Sequence, residues 1–271
     1  MILNEDSTAL IDSTETLLGL IGPADQPQLK AKPKSAEMTP GPGFMIRTEF
    51  PRPPAALVEG FRKFETADVS DVMNRLYAMD GEIRNRSNDK ELLGVACTVK
   101  VYPGDNLMVH KMLDLVKPGD VVVVDCSGAT SNAVLGDLVA NKACHRGIAG
   151  FVIDGLIRDL DGIIETGLPV YARGVTPFGP LHRGPGEIKT PISCGGVVVN
   201  PGDIIKADST GIAVIPRPYA SEILQRLRDS HDRLQAYVAS VKRGDFSNDW
   251  VDEQLQENGC IFCGLEDPAG G

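Results

Sequence analysis

Short apolar runs separated by glycine-containing turns occupy the middle of the chain. Valine and isoleucine dominate these runs, and β-branched residues of this kind favour strands. Pro-Gly-Asp turns begin at residues 118 and 201, and a Gly-Gly pair occurs at 195–196. The pattern predicts six strands, at residues 95–101, 121–124, 151–153, 170–172, 197–199 and 212–215.

Apolar residues at helical spacing predict helices on either side of these strands. Helices are predicted within residues 55–79, over 137–145, and from 220 to about 242. In the first region the apolar stripe, which we assign to the core, consists of Val69, Val72, Met73 and Leu76. Strands that alternate with helices indicate an α/β fold.

The length and composition favour one sizeable core rather than two. The chain has 271 residues and is 42% hydrophobic. Residues 1–45 are rich in proline, which predicts a flexible arm, or a strap between subunits of an oligomer, with at most one short helix. We therefore expect an arm over residues 1–45, a catalytic domain over 46–220, and a C-terminal helix and tail over 221–271.

Charge and cysteine usage narrow the class of protein. A formal net charge of −10 argues against a general nucleic-acid surface. The chain shows no basic-then-apolar leader and no apolar run of membrane-spanning length, so we expect a soluble cytoplasmic protein without a membrane partner. Most of the six cysteines fit buried apolar positions. Cys260 and Cys263 have spacing suited to zinc or a dithiol, although no second pair lies nearby, and their role stays open.

Two short motifs carry the candidate chemistry. Gly136-Asp137 begins a predicted helix. Arg158-Asp159 follows with 20 residues between Asp137 and Arg158, at the exit of a short strand that Gly155 is predicted to end. Open α/β sheets place their ligands at such strand exits. Two alternatives remain: an acid in the first helical turn is a common stabilising feature, and Arg-Asp can be a surface ion pair. Asp154 is interpreted as a turn residue.

The stretch GDLVANKACHRGIAGFVIDGLIRD resembles the signature of the RraA-like family. The order of several further segments also fits the family over roughly residues 46–225: TADVSD from 66, GVACTV from 94, PGDVVV from 118, GGVVV from 195 and PGD from 201. The resemblance implies an α/β domain of the layered β/β/α swivelling type, here with helical N- and C-terminal extensions. It also implies a homotrimer or homohexamer with sites between subunits.

The resemblance assigns roles to individual residues. Asp159 would be the direct ligand of Mg²⁺ or Mn²⁺, Arg158 a catalytic clamp on the substrate, and Asp137 a catalytic acid that orients water on the metal. An acid from a neighbouring subunit helps in the family's aldolases, and Asp232 is the candidate here, with a solvated helix charge as the alternative. The substrate carboxylate would contact Gly136, Asp137, Leu138, Val139 and Arg158.

These residue types suit a 2-oxo acid, whose cleavage next to the ketone leaves a pyruvate enolate. The leading hypothesis is a metal-dependent lyase, either a 4-hydroxy-2-oxo diacid aldolase that releases pyruvate or an oxaloacetate decarboxylase. The alternatives are a non-enzymatic regulator that binds a ribonuclease or another protein, and a related lyase on a different acid.

Two further segments are candidates for the site. Residues 178–184 offer cations for a second substrate carboxylate or form an exposed loop, and His110 is expected on a helix near the site.

Overall fold

Four parallel strands form the centre of the fold in the computed structural model, which describes residues 37–262 apart from the side chain of Asp232. They lie in the order β3 (Leu92–Val101), β4 (Asp120–Asp125), β6 (Gly150–Ile157) and β7 (Val170–Val175). Every residue of β4 and β6 is buried. Burial on both faces explains why these strands are continuous apolar runs in the sequence.

Shorter strands extend this sheet at both edges. The free edge of β3 pairs antiparallel with β11 (Ile204–Asp208) along its first half and with β8 (Gly186–Ile188) along its second half. The remaining additions are β1 (Phe44–Ile46) beside β8, β12 (Gly211–Ile215) beside β11, β5 (Ala133–Leu135) beside β6, and β2 (Arg84–Asn85) beside β7. A separate hairpin consists of β9 (Ile192–Cys194) and β10 (Val197–Val199).

Helices and strands cover opposite faces of the central sheet. One face packs against α3 (Leu107–Met112), α4 (Asp137–His145) and α5 (Leu160–Thr166). The other face packs against apolar side chains of β9, β10, β11 and β12. This layering confirms the predicted α/β fold.

A third apolar cluster joins the remaining helices to the outer strands. Its helices are α1 (Ala55–Glu59), α2 (Thr66–Asp71) and α6 (Ala220–Lys242). Leu224 and Leu227 of α6 pack there with Ile215 of β12. The 3-10 turn Arg217–Tyr219 leads into α6, and α7 (Asp249–Glu257) follows it.

The structure corrects three local expectations. Gly155 does not end β6, which continues to Ile157. Asp154 is not a turn residue, because it is buried in β6, where it binds the Nε of Arg173 and accepts the Gly195 amide at 2.9 Å. Leu76 is 76% exposed and outside the core.

Helices were predicted within residues 55–79, and α1 and α2 lie there, but α2 ends before the predicted apolar stripe does, because of backbone conformation. Asn74 and Arg75 have φ values of 57° and 63°, in the left-handed region that an α-helix cannot include. The helix therefore stops at Asp71, and Leu76 is carried away from the stripe that buries Val69 and Met73.

The helix predicted from residue 220 is confirmed, with the bounds given for α6. Cys97, Cys126 and Cys194 are buried as expected, and Cys260 is exposed. Most of the predicted N-terminal arm, and Cys263, lie outside the described residues. No helix in the described part of the chain combines the length and apolar character needed to cross a membrane.

Candidate functional site

The two motifs meet where β5 and β6 end. Leu135, the last residue of β5, pairs with Ile157, the last residue of β6. The amide of Arg158 donates to the Leu135 carbonyl at 2.9 Å. Because Gly136 follows Leu135 and Arg158 follows Ile157, parallel pairing brings the Gly-Asp and Arg-Asp motifs side by side at the carboxyl edge of the sheet.

Arg158 and Asp159 form a partly exposed ion pair. Nε of Arg158 lies 3.1 Å from Oδ2 of Asp159, and the two side chains are 39% and 44% exposed. An exposed pair of this kind contributes little to stability. Asp159 nevertheless has a left-handed backbone, with φ of 53°, a costly conformation for a residue that is not glycine. Retained strain at a strand exit points to a functional constraint.

Glycines leave the space that these side chains occupy. A Cβ on Gly136 would lie 2.6 Å from Oδ2 of Asp159. A Cβ on Gly162, in α5, would lie 2.7 Å from Cβ of Asp137. Asp137, Arg158 and Asp159 therefore surround the start of α4, and the sequence prediction that they converge agrees with the geometry.

Asp137 begins α4 with its carboxylate folded over the helix start. Its Oδ1 accepts the amide of Leu138 at 2.7 Å. The first backbone bond of the helix runs from Ala140 to the Gly136 carbonyl at 3.1 Å, so the amides before Ala140 lie outside the helical ladder. Such amides bind anions. A carboxylate that uses the Leu138 amide must displace Asp137 Oδ1.

The loop at residues 176–184 is fixed beside the site by Asp105. This buried carboxylate accepts the amides of Leu107, Arg183 and Gly184 at 2.9, 2.6 and 3.1 Å. Oδ1 of Asn106 lies 2.6 Å from Nδ1 of His182. The cations of this loop were expected from the sequence, whereas the role of Asp105 was not. The signal was available in Pro103-Gly104-Asp105, which repeats the turn motif of residues 118 and 201.

His110 lies on α3, and its ring centroid is 5.8 Å from that of His182. Burial lowers the pKa of His110 below its ordinary value, and the positive charges of Lys142 and His182 lower it further. His110 is therefore neutral at pH 7 and a poor source of positive charge for a substrate.

The donor set suits a hard, hydrated cation. Within residues 37–262, no three His, Cys, Asp or Glu side chains are grouped as a metal cage. The site offers carboxylate oxygens of Asp159 and Asp137, and oxygen ligands with few protein contacts fit Mg²⁺ or Mn²⁺, which keep several waters. Asp232 lies in α6, and its side chain is outside the described part.

A cavity elsewhere on the surface does not include the two motifs. A cavity of about 450 Å³ is lined by residues that include Arg84, Lys90, Tyr171 and Asp208, and it shares no residue with the two motifs. The converging side chains, not cavity volume, identify the candidate site.

Known proteins share this sequence pattern and fold. The RraA-like family model, described as Aldolase/RraA, matches residues 66–214. Proteins from Halalkalibacterium halodurans and Azotobacter vinelandii are 39% and 40% identical over 168 and 157 residues, covering 62% and 58% of this chain and 80% and 96% of theirs. Both are named "Putative 4-hydroxy-4-methyl-2-oxoglutarate aldolase".

Solved structures share the fold of this chain. An uncharacterized protein from Pseudomonas syringae pv. tomato superposes with a TM-score of 0.64 at 25% identity, over 73% of this chain and 97% of that one. The RNA-processing inhibitor RraA from Thermus thermophilis gives 0.53 at 30% identity, over 57% and 93%. The family match spans more than half of the chain and includes both motifs, so the chain belongs to the RraA-like family.

Proposed function

We propose that this protein is a divalent-metal-dependent lyase that cleaves a carbon–carbon bond of a 2-oxo acid, as a pyruvate-releasing aldolase, an oxaloacetate decarboxylase, or both. The observation that carries the proposal is the convergence of Arg158, Asp159 and Asp137 around Gly136. The aldolase names of the relatives support the same reaction class.

The start of α4 and Arg158 would bind the 2-oxo acid. The carboxylate of the substrate would bind amides at the start of α4 that lie outside the helical ladder, displacing Asp137 Oδ1 where it uses the Leu138 amide. The guanidinium of Arg158 would face the ketone oxygen. A planar guanidinium donates two parallel hydrogen bonds and stabilises the negative charge that develops on that oxygen. Mg²⁺ or Mn²⁺ held by Asp159 would supply Lewis-acid polarisation of the ketone and carboxylate oxygens.

Asp137 would assist proton transfer during cleavage. Aldol cleavage removes the proton of the 4-hydroxyl group, and the pyruvate enolate then takes up a proton at carbon. Asp137 is suited to this chemistry because it directly follows Gly136, whose Cβ position lies 2.6 Å from Oδ2 of Asp159. A water oriented by Asp137 would accept the first proton and return the second.

The loop at 176–184 would bind the second carboxylate of a diacid. His182 is exposed, and Asn106 fixes its Nδ1. When its Nε2 carries a proton, the ring is a donor for a carboxylate. Diacids would then bind better than monoacids.

The test is pyruvate release from a panel of 4-hydroxy-2-oxo diacids and oxaloacetate, with Mg²⁺, Mn²⁺ or a chelator. We expect metal-dependent release from at least one substrate, and Asp159→Ala should lower kcat to less than about a tenth of the wild-type value, a barrier change above about 1.4 kcal/mol. Asp161→Ala is the matched control, because Asp161 is an exposed acid in the first turn of α5.

Two outcomes would contradict the proposal. One is an Asp159→Ala protein that retains the activity of the Asp161→Ala control. The other is a wild-type protein that neither releases pyruvate or CO₂ nor binds any 2-oxo acid. The second result would favour a protein-binding regulator, the class to which the name of the Thermus thermophilis relative belongs.

A further inference from the structure

The guanidinium of Arg158 is supported by a glycine of the neighbouring loop. A Cβ on Gly179 would lie 2.7 Å from Nη1 of Arg158 and 3.6 Å from its Cζ. The guanidinium thus lies directly against the Gly179 backbone. On its other side, a Cβ on Gly136 would be 3.4 Å from Nε. Arg158, although partly exposed, therefore lies close to two glycine backbones, those of Gly136 and Gly179.

Asn132 fixes the position of Gly179. Its side-chain amide Nδ2 donates to the Gly179 carbonyl at 2.6 Å. The amide of Ala133 donates to the Phe178 carbonyl at 2.9 Å, so two consecutive residues before β5 bind two consecutive residues of the loop. Of these two hydrogen bonds, only the one from Asn132 is made by a side chain, and its acceptor is Gly179, the residue that contacts Arg158.

Asn132 is itself held in place by the turn at Gly104. A Cβ on Gly104 would lie 3.0 Å from Cβ of Asn132, and the Gly104 carbonyl accepts the Leu181 amide at 2.8 Å. Asn132 therefore packs between the turn at Gly104 and the loop at Gly179, and both are tied to each other. The half-buried Asn132 side chain therefore links the turn at Gly104 to Gly179.

We infer that Asn132 is a positioning residue for Arg158: its amide holds Gly179 against the guanidinium and so sets the orientation of the two donors that face the substrate. The inference rests on the proposed function for its catalytic consequence. Its structural part, the coupling of Asn132 to Arg158, is independent of the reaction.

The first experiment measures that coupling without a substrate. Phenylglyoxal modifies exposed arginine guanidinium groups, and peptide mass spectrometry gives a rate for each arginine. In Asn132→Ala, and in the more conservative Asn132→Asp, Arg158 should react several-fold faster than in the wild type, because Nη1 has lost its support. Arg226, which forms an exposed ion pair with Glu222 of α6, is the internal control and should react at an unchanged rate.

The second experiment measures catalysis. A misplacement of about 1 Å in a substrate-binding group can lower the rate by roughly a hundredfold, so we expect both Asn132 variants to lower kcat/KM for the 2-oxo acid by roughly tenfold or more. Asn258→Ala is the matched control, because Asn258 donates to a backbone carbonyl at 2.8 Å at the end of α7. In an Arg158→Lys background, Asn132→Ala should add little further loss, since both changes act on one group.

The outcomes separate this inference from the proposed function. An unchanged rate of Arg158 modification in both Asn132 variants overturns the inference, and so does a changed modification rate with unchanged kcat/KM. A fully additive loss in the Arg158→Lys background also overturns it, because Asn132 would then act elsewhere. If wild-type protein cleaves no 2-oxo acid, the proposed function fails, and the modification rates alone decide whether Asn132 positions Arg158.

Discussion

Adding one methyl group at Gly136 tests the geometry of the site without removing any functional group. The backbone of Gly136 has φ of −135° and ψ of −175°, which alanine adopts without strain. The new Cβ would lie 2.6 Å from Oδ2 of Asp159, whereas ordinary contacts begin at 3.4 Å. The carboxylate must therefore move by about 0.8 Å, and Arg158, 3.3 Å from the Cβ position at its Cγ, must move slightly as well.

The expected magnitude follows from this displacement. A shift approaching 1 Å at a group that positions the substrate can cost about a hundredfold in rate, so we expect Gly136→Ala to lower kcat/KM by roughly thirtyfold to a hundredfold. Stability should change little, because the affected side chains are partly exposed and free to move. The unfolding midpoint should therefore stay close to that of the wild type.

The assay is steady-state pyruvate release at several Mg²⁺ concentrations, with Gly81→Ala as the control. Gly81 has open space around its Cβ position and no positive φ, so its substitution should leave kcat/KM unchanged. The reasoning is refuted if Gly136→Ala is as active as Gly81→Ala while Asp159→Ala is inactive. In that case the observed closeness of Gly136 to Asp159 would have no bearing on the reaction.

Three further substitutions test individual side chains. Arg158→Lys keeps the charge but loses the planar fork, and kcat/KM should fall by roughly a hundredfold or more; unchanged kinetics would make Arg158 structural. Asp137→Asn should preserve metal and pyruvate binding by calorimetry but lower cleavage by about 10² to 10⁴, so loss of binding would contradict the proton role. Burial, and then the charges of Lys142 and His182, lower the pKa of His110 in the folded state. As the pH drops through about 6.5, the unfolded state therefore takes up this proton before the folded state does, and the free energy of unfolding falls. His110→Gln should flatten that loss in urea unfolding midpoints measured between about pH 8 and pH 5, and an unchanged pH profile would contradict the assignment.

The sequence was sufficient to predict the centre of the fold and the convergence of the two motifs. All six predicted strands are present. Four of them are the central parallel strands, whose burial on both faces requires apolar runs that are conspicuous in a sequence. The other two, β10 and β12, pair antiparallel. The convergence followed from the position of Arg158 at a strand exit. Its location did not depend on the wrong end assigned to β6, since Arg158 still follows the last strand residue.

Other features depend on tertiary contacts that local patterns do not contain. The strands β1, β2, β5, β8, β9 and β11 were not predicted, and most of them have two or three residues. Asp154 resembled a turn residue because aspartate is rare in buried strands, and only its partners Arg173 and Gly195 explain its burial. Asn132 and Gly179 belong to no recognisable sequence motif. Their importance comes from a contact across 47 residues of chain.

The two antiparallel partners of β3 have a consequence for how the chain folds during synthesis. Residues 92–95 of β3 pair with β11, which begins at Ile204, more than a hundred residues later. Until β11 has left the ribosome, half of one β3 edge carries unpaired backbone groups flanked by buried valine and leucine side chains. Contacts of such sequence separation form slowly. A nascent chain that has not yet been extended through β11 would therefore be prone to aggregate, and a holdase chaperone that recognises the Leu92–Val101 strand would increase the yield of folded protein.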